Sequence, residues 1–590
     1  MQPERETAMK RMWNVVVFVA LCARPACAQT DLTDQQRIQD LDQLATLFAK
    51  HYAAYEWKRD VIGFDLLRLN PWLQDIHKQD DLDFEETLID YVASLNDAHD
   101  SIIFPSNFTA NLPLTVDLYD GKVLVDNIDR TLLPKAQFPF TIGDELVLLD
   151  GVPINGALES LYKYSVLANS RSTARLAAGQ LTSRSQQFLP HAGDVADTAF
   201  LTIRLAATGQ LQTYEIPWIK RGFPLLSAGT APLPGRKPYR EDNNPPTKTN
   251  LGPGHVTPSD FHRPRNPIVD DSLPDYMRPL APFLNGVTAS DDMGYINWGA
   301  KSPVFAPPPG FVLRRGAAST DFFLTGTYVA NGARIGFLRI PNEAPPSVTT
   351  ALQQLDAEMA YFNANTDGLI VDVMNNSGGS LSFAESILQR LIPAPFHTMG
   401  FEIRPTPDWS SAFAEMLTRA EETNAPAGVI QNLQMIFDEV RRAAEQGGRT
   451  MPVSLNSTGS LTLTPKANAY QKPLLLLTDE LTLSAGDMIA AVIQDNNRGP
   501  LFGMRTVGAG GSVVLYDATA NTNAQVSITV SLMNRGRLVQ TPEFPPTPYI
   551  ENVGVRPNIV NDYMTRTNLL TGGAAYVQAF TAALLSLIQP

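Results

Sequence analysis

From about residue 320 onward the apolar pattern switches repeatedly between strand and helix periods, and this alternation constrains the fold more than any other feature. Ile335 to Ile340 reads as a strand. Val348 to Phe362 carries Leu352, Leu355, Met359 and Phe362 on one helical stripe. Leu369 to Val373 is an apolar run broken only by Asp372, and Ser382 to Leu391 is a helix. Leu474 to Leu477 is a second buried strand, and Gly486 to Ile493 a helix again. Strands apolar on both faces, separated by helices, predict an α/β layer structure with a central sheet. Residues 410–447 read as a helical hairpin inserted into it.

The rest of the 590-residue chain is long enough for further units, at about 150 residues each. Residues 31–100 read as helical, with Leu41, Leu44, Leu47 and Phe48 and then Leu88, Ile89, Val92 and Leu95 at helical spacing. Residues 112–220 change to strands and tight turns, among them Val123 to Val125, Gly143 to Gly151 and Ala199 to Leu205. Prolines crowd residues 222–290 and apolar periodicity is missing there. That stretch reads as an exposed linker, or more sharply as a regulatory or cleavable segment. The expected boundaries are 1–28, 29–111, 112–221, 222–290 and 291–590.

Residues 1–28 have the order of a secretory signal: Lys10 and Arg11, an apolar stretch from Trp13 to Ala23, then Ala26-Cys27-Ala28 as the cleavage site. The expected product is secreted or periplasmic. Cys22 and Cys27 are the only cysteines. Cleavage would leave none, which excludes disulfides, cysteine nucleophiles and cysteine-based zinc sites together. The net charge is −14, which speaks against a cationic surface for nucleic acid. No apolar run reaches the ~18 residues of a membrane-spanning helix. Hydrophobic residues at 44% and charged residues at 18% describe a folded globular chain.

Two strand ends carry candidate chemistry. Leu369-Ile-Val-Asp-Val-Met-Asn-Asn-Ser-Gly378-Gly379 runs from strand to helix through a glycine pair, whose bare N–H groups could bind a carbonyl oxygen; a simple turn would look the same. Leu474 to Leu477 leads through Ser484 into a helix. The hydroxyl could project from a sharp turn beside the N–H of Ala485. Alternatively, Ser484-x-x-Asp487 is close to a capping box and Ser484 merely an N-cap. A serine nucleophile needs a base, commonly His or Lys. Lys472 is the last lysine, so no downstream lysine can serve. His255 and His262 lie in the proline-rich stretch, and His51 and His77 read as surface positions. His99 follows an amphipathic helix, where the chain turns toward the strand Ile102-Ile103-Phe104 and could aim into a cleft; it could equally be a satisfied helix-end histidine. No metal-ligand spacing, Walker motif or dinucleotide fingerprint occurs, so no metal or cofactor is expected.

Taken together, Leu-Ile-Val-Asp-x-x-x-Asn-Asn-x-Gly-Gly, the Ser484 turn, Gln494-Asp495-x-x-Arg498, Gly503-x-x-Thr506-x-Gly508-x-Gly510-Gly511 and Asn552-x-Gly554-Val555-x-Pro557 resemble the C-terminal-processing (tail-specific) serine protease family. Leu95-Asn96-Asp97-x-His99, Gly336-Phe337-Leu338-Arg339-Ile340-Pro341 and Ile550-Glu551-Asn552 resemble its branch containing the chlamydial protease-like activity factor. The resemblance implies a crotonase/ClpP-like α/β protease core with an N-terminal helical region and a PDZ-like β domain over 112–221. It implies Ser484 as nucleophile, His99 as base, Glu551 as the acid that orients it, and an oxyanion hole from Gly378 or Gly379 with Ala485. Ala509 stands where many relatives have a lysine, which points away from a Ser–Lys dyad. The implied activity is an exported serine endopeptidase acting on polypeptides, made as a zymogen that dimerises and is cut in an internal segment, for which residues 222–290 are the candidate. A catalytically silent peptide- or lipid-binding protein on the same scaffold is the alternative. Crotonase-like acyl chemistry is a third reading, and it lacks any sign of a CoA site.

Overall fold

The computed structural model describes residues 31–74, 76–228, 270–284 and 298–588. The expected leader, both cysteines and most of the proline-rich stretch lie outside these residues.

A seven-stranded sheet organises the C-terminal half. Its order is Val312–Arg315, Leu324–Ala330, Ala333–Arg339, Gly368–Asp372, Leu474–Thr478, Leu501–Gly503 and Ile559–Val560. The first three strands are antiparallel, and every pairing from Ala333–Arg339 onward is parallel. Gly368–Asp372 and Leu474–Thr478 are buried along their whole length because helices cover both faces. Leu369, Val371, Leu474 and Leu476 pack on one side with Leu355, Phe362, Ile387 and Ile489. Ile370, Leu475 and Leu477 pack on the other with Phe580 and Leu584 of the helix Ala574–Ile588. The α/β layer predicted from periodicity is this sheet. Asp372, the one charge in its apolar run, faces the equally buried Arg339 at 3.3 Å. The predicted hairpin insertion is the helix pair Pro407–Glu422 and Ala427–Gln446.

Residues 109–221 form two antiparallel sheets around a core of their own, the larger with main strands Leu114–Tyr119, Lys122–Ile128, Glu145–Leu149, Thr198–Arg204 and Leu211–Pro217, the smaller with Thr109–Asn111, Ser183–Ser185 and Ile219–Arg221. The strand reading of this region missed the helix Ser170–Gln180, which Asn169 caps by accepting from Ser172 N–H at 3.0 Å. Its polar first turn disguised it. That turn faces the C-terminal unit: Arg171 meets Glu480 at 2.9 Å and Asp562 at 2.7 Å, and Ser172 donates to the Glu480 carbonyl at 2.6 Å.

The N-terminal helices Asp34–His51, Tyr55–Ile62 and Asp81–Ala93 join the large core. Ser101–Ile103 fastens them by pairing with Gln525–Thr529, so the turn that carries His99 is anchored to the C-terminal half. Glu85, on Asp81–Ala93, is buried with one carboxylate oxygen unpartnered. Burial first, and then Asp81 and Glu86, push its pKa up to about 8. The unfolded value is about 4.3, so the folded state alone holds this proton between those limits. The resulting stabilisation is complete below pH ~4.3 and lost as pH rises through about 8. Glu85→Gln should therefore match the parent's melting temperature near pH 5 and exceed it by a few degrees at pH 9, measured by circular dichroism.

Candidate active site

Ser484 lies between the buried strand Leu474–Thr478 and the helix Ala485–Asp495, with φ 58° and ψ −112°. A non-glycine residue at positive φ is strained and must be held by its surroundings. Two loops hold it. Asp479 accepts from the N–H groups of Asn375 at 2.9 Å and Leu481 at 3.1 Å, and Leu483 N–H donates to the Asn376 carbonyl at 2.9 Å. Behind the turn, the fully buried Asp487 accepts from the N–H groups of Ser484 at 2.9 Å, Gly508 at 3.1 Å and Ala509 at 3.1 Å, and from the Thr506 hydroxyl. Burial nevertheless pushes its pKa up to about 6. The cap is thus made by the Asp487 carboxylate on the Ser484 backbone, and the Ser484 hydroxyl, itself buried, has no hydrogen-bond partner.

Gly378 presses against this turn at φ 76°, and a Cβ there would stand 2.7 Å from Ser484 Cβ and 3.0 Å from the Leu483 carbonyl oxygen. Its N–H donates to Asn376 Oδ1 at 2.8 Å. Gly379, at φ 146°, lies against the Glu343 backbone, with Glu343 N–H on the Gly378 carbonyl and Ser380 N–H on the Glu343 carbonyl, both at 2.8 Å. Among the described residues the N–H groups of Gly379 and Ala485 carry no hydrogen bond. The second is one of the unpaired donors every helix start exposes.

His99 is 3% exposed and sits in the turn after Asp81–Ala93. Its N–H donates to Asp97 Oδ1 at 2.9 Å, its carbonyl accepts from Ser527 Oγ at 2.6 Å, and neither ring nitrogen has a partner. Burial pulls its pKa down to about 4, with Asp97 opposing and Lys58 assisting, so the ring is neutral at pH 7. Glu551 is fully buried, and its Oε2 accepts from Gly510 N–H at 3.0 Å. Burial and then Asp97 push its pKa up to about 7, against the pull of Lys58 and the Gly510 N–H.

Lys58 was not among the candidates. It comes from the helix Tyr55–Ile62, is fully buried, and donates to Glu551 Oε1, to the Asn96 carbonyl at 2.8 Å and to Asn552 Oδ1 at 2.7 Å. Asp97 Oδ2 stands 3.8 Å away and accepts from the Tyr52 hydroxyl at 2.8 Å. Nothing in the local pattern distinguishes Lys58 from a surface lysine.

The three residues implied by motif share one neighbourhood. Ser484 connects through Asp487 to Ala509, Gly510 binds Glu551, and Lys58 joins Glu551 to the Asn96–Asp97 turn before His99. Ala98, Leu483, Val507 and Ala509 pack in one apolar cluster with Leu167 and Ala168 of the β domain and with Trp298. The last hydrogen bonds are not made here: neither ring nitrogen of His99 bonds to the Ser484 hydroxyl or to the Glu551 carboxylate. His51, read as a surface position, is instead buried, 4% exposed, with its ring 4.5 Å from that of Tyr516. Its charged sequence neighbours masked this, because a helix buries one stripe and exposes the next. Among the described residues no cluster of three or more His, Cys, Asp or Glu could hold a metal.

Residues 334–560 match peptidase family S41, and residues 108–224 match a PDZ domain. A Chlamydia pneumoniae protein is 26% identical, covering 94% of this chain and 91% of its own length. A Chlamydia trachomatis protein is 24% identical over 93% of this chain and 92% of its own. The solved structure of mature CPAF complexed with lactacystin is 22% identical with a TM-score of 0.69, covering 94% of this chain and 99% of that one. At that identity the likeness is one of fold.

Proposed function

We propose that this chain is a serine endopeptidase that cuts polypeptides through Ser484, His99 and Glu551, a reading supported by the match of residues 334–560 to peptidase family S41 and of residues 108–224 to a PDZ domain. His99 takes the proton from Ser484 Oγ as that oxygen attacks a peptide carbonyl, and later gives it to the leaving amine. Glu551 orients the imidazole and stabilises its charged form. Water then releases the acyl group by the same steps. The N–H groups of Gly379 and Ala485 receive the oxyanion, and one such donor is typically worth about 3 kcal/mol of barrier. Gly378 then serves as the gap that lets the two loops meet, since its own N–H is spent on Asn376.

The observation that carries this reading is the hydroxyl of Ser484: buried, unpartnered and held at positive φ at the head of a helix whose first N–H is free. A structural serine would spend that hydroxyl on a cap. Closing the relay requires the His99 ring to reach both the hydroxyl and the carboxylate as substrate enters. The signal-like residues 1–28 support export, and the domain division at 29–111, 112–221 and 291–590 supports a peptide path between the β domain and the core. Dimerisation, and cleavage within residues 222–290, belong to the same proposal.

The test is covalent labelling with a fluorophosphonate followed by peptide mapping. We expect labelling on Ser484 alone, at a rate at least tenfold lower in His99→Ala. Folded, processed protein that stays unlabelled would instead support a silent binding scaffold.

A further inference from the structure

Lys58 is a costly residue to keep. A fully buried ammonium must be balanced and hydrogen-bonded, or it loses its proton or destabilises the fold. Here its three donors are all used, on Glu551 Oε1, the Asn96 carbonyl and Asn552 Oδ1. These three partners bracket the site: Asn96 begins the turn that carries His99, and Glu551 and Asn552 are the proposed acid and its neighbour. Asn552 is itself fixed from two sides, accepting from Trp57 Nε1 at 3.1 Å and donating to the Asn96 carbonyl at 2.8 Å. Among the described residues the one other hydrogen-bond partner of the Glu551 side chain is the Gly510 N–H.

We propose that Lys58 is the positioning residue of the acid: its ammonium pins the Glu551 carboxylate beside the His99 turn, in place of any lysine at the glycine-rich loop. This rests on Glu551 serving as the acid of the relay. Apart from Lys58 and the Gly510 N–H, the environment works against ionisation of Glu551, through burial first and then the charge of Asp97. Asp97 and Asp100 come from the turn after Asp81–Ala93, and Tyr52 follows the helix Asp34–His51; all three are fully or nearly fully buried. Burial first, and then Asp97 and Glu551, raise the proton affinity of Asp100 and Tyr52. Among the described residues Lys58 is the cation that acts on Glu551. Even with it, burial holds the Glu551 pKa at about 7, whereas His99 titrates near 4. The acid limb of activity therefore belongs to Glu551, with the enzyme active above it.

The experiment is the pH profile of kcat/KM from pH 5.5 to 9.5, with fluorescein-labelled denatured casein as substrate, for the parent, Lys58→Met, Glu551→Gln and the double variant. Folding is checked by circular dichroism. We expect Lys58→Met to lose at least tenfold at pH 7, to move the acid limb up by a pH unit or more, and to regain much of the loss by pH 9.5. Glu551→Gln should be slow at every pH without that limb, and adding Lys58→Met to it should cost little more. A limb that stays at the parent's position in Lys58→Met, with the same loss at all pH values, or losses that multiply in the double variant, would overturn the proposal and leave Lys58 a structural residue. Parent-like rates and limb in Glu551→Gln would instead sink the triad reading itself. Should Lys58→Met not fold, Lys58→Gln carries the same test, because it keeps a donor toward Glu551 and removes the charge.

Discussion

Ser484→Ala is expected to lower the turnover of denatured casein by a factor on the order of 10⁴ or more, with little change in stability. The size follows from the nucleophile's place in a relay whose members act as a unit, so that removing one removes most of what all three contribute. The unchanged stability follows from the structure. The hydroxyl has no partner, so its loss breaks no hydrogen bond. The turn is held by Asp487 on the Ser484 backbone N–H and by the Leu483–Asn376 contact, and both survive the substitution. Alanine at φ 58° carries the same backbone strain as serine. Turnover and melting temperature measured on one preparation check both halves. More than a tenth of the parent rate would leave no place for Ser484 as nucleophile, and a fall of many degrees in melting temperature would show that the hydroxyl has a structural partner after all.

Gly378→Ala should damage both activity and stability. The position needs φ 76°, which costs an alanine roughly 1–2 kcal/mol. The new methyl would also stand 2.7 Å from Ser484 Cβ and 3.0 Å from the Leu483 carbonyl, and neither is the free end of a flexible side chain. Either the nucleophile turn or the glycine turn must shift. A shift near 1 Å at reacting atoms can cost about 10²-fold in rate, and that is the loss expected in kcat. Gly332→Ala separates the two contributions. Gly332 has φ 83° but nothing within 4 Å of an added Cβ, in the turn between Leu324–Ala330 and Ala333–Arg339. It should lose a similar amount of stability from the backbone and no activity. Equal activity in the two variants would mean that the contact between Gly378 and Ser484 has no part in the reaction.

The strand–helix alternation was legible from residue 320 onward because it is local: a run of four or five apolar residues between helical stretches can be placed only as a covered parallel strand. The glycine pair and the Ser484 turn were legible for the same reason, each being a strand end of a few residues. The helix Ser170–Gln180 was not, because its first turn is built from polar residues whose partners, Glu480 and Asp562, lie about 300 residues or more further on. His51 was misplaced on the surface because its burial depends on Tyr516, packed against it from the far end of the chain.

What the residues alone determined is therefore the set of turns that can present a hydroxyl, an imidazole and bare amides, since φ, caps and glycine content are properties of a few neighbouring positions. Which amide is left free, and how the acid is held, were decided only when distant segments packed. Gly378 N–H is taken by Asn376 and that of Gly379 is not. Lys58 and Glu551 meet across 493 positions of sequence. A buried charge acquires its meaning from its counter-charge, and no periodicity in a linear chain encodes which one that will be.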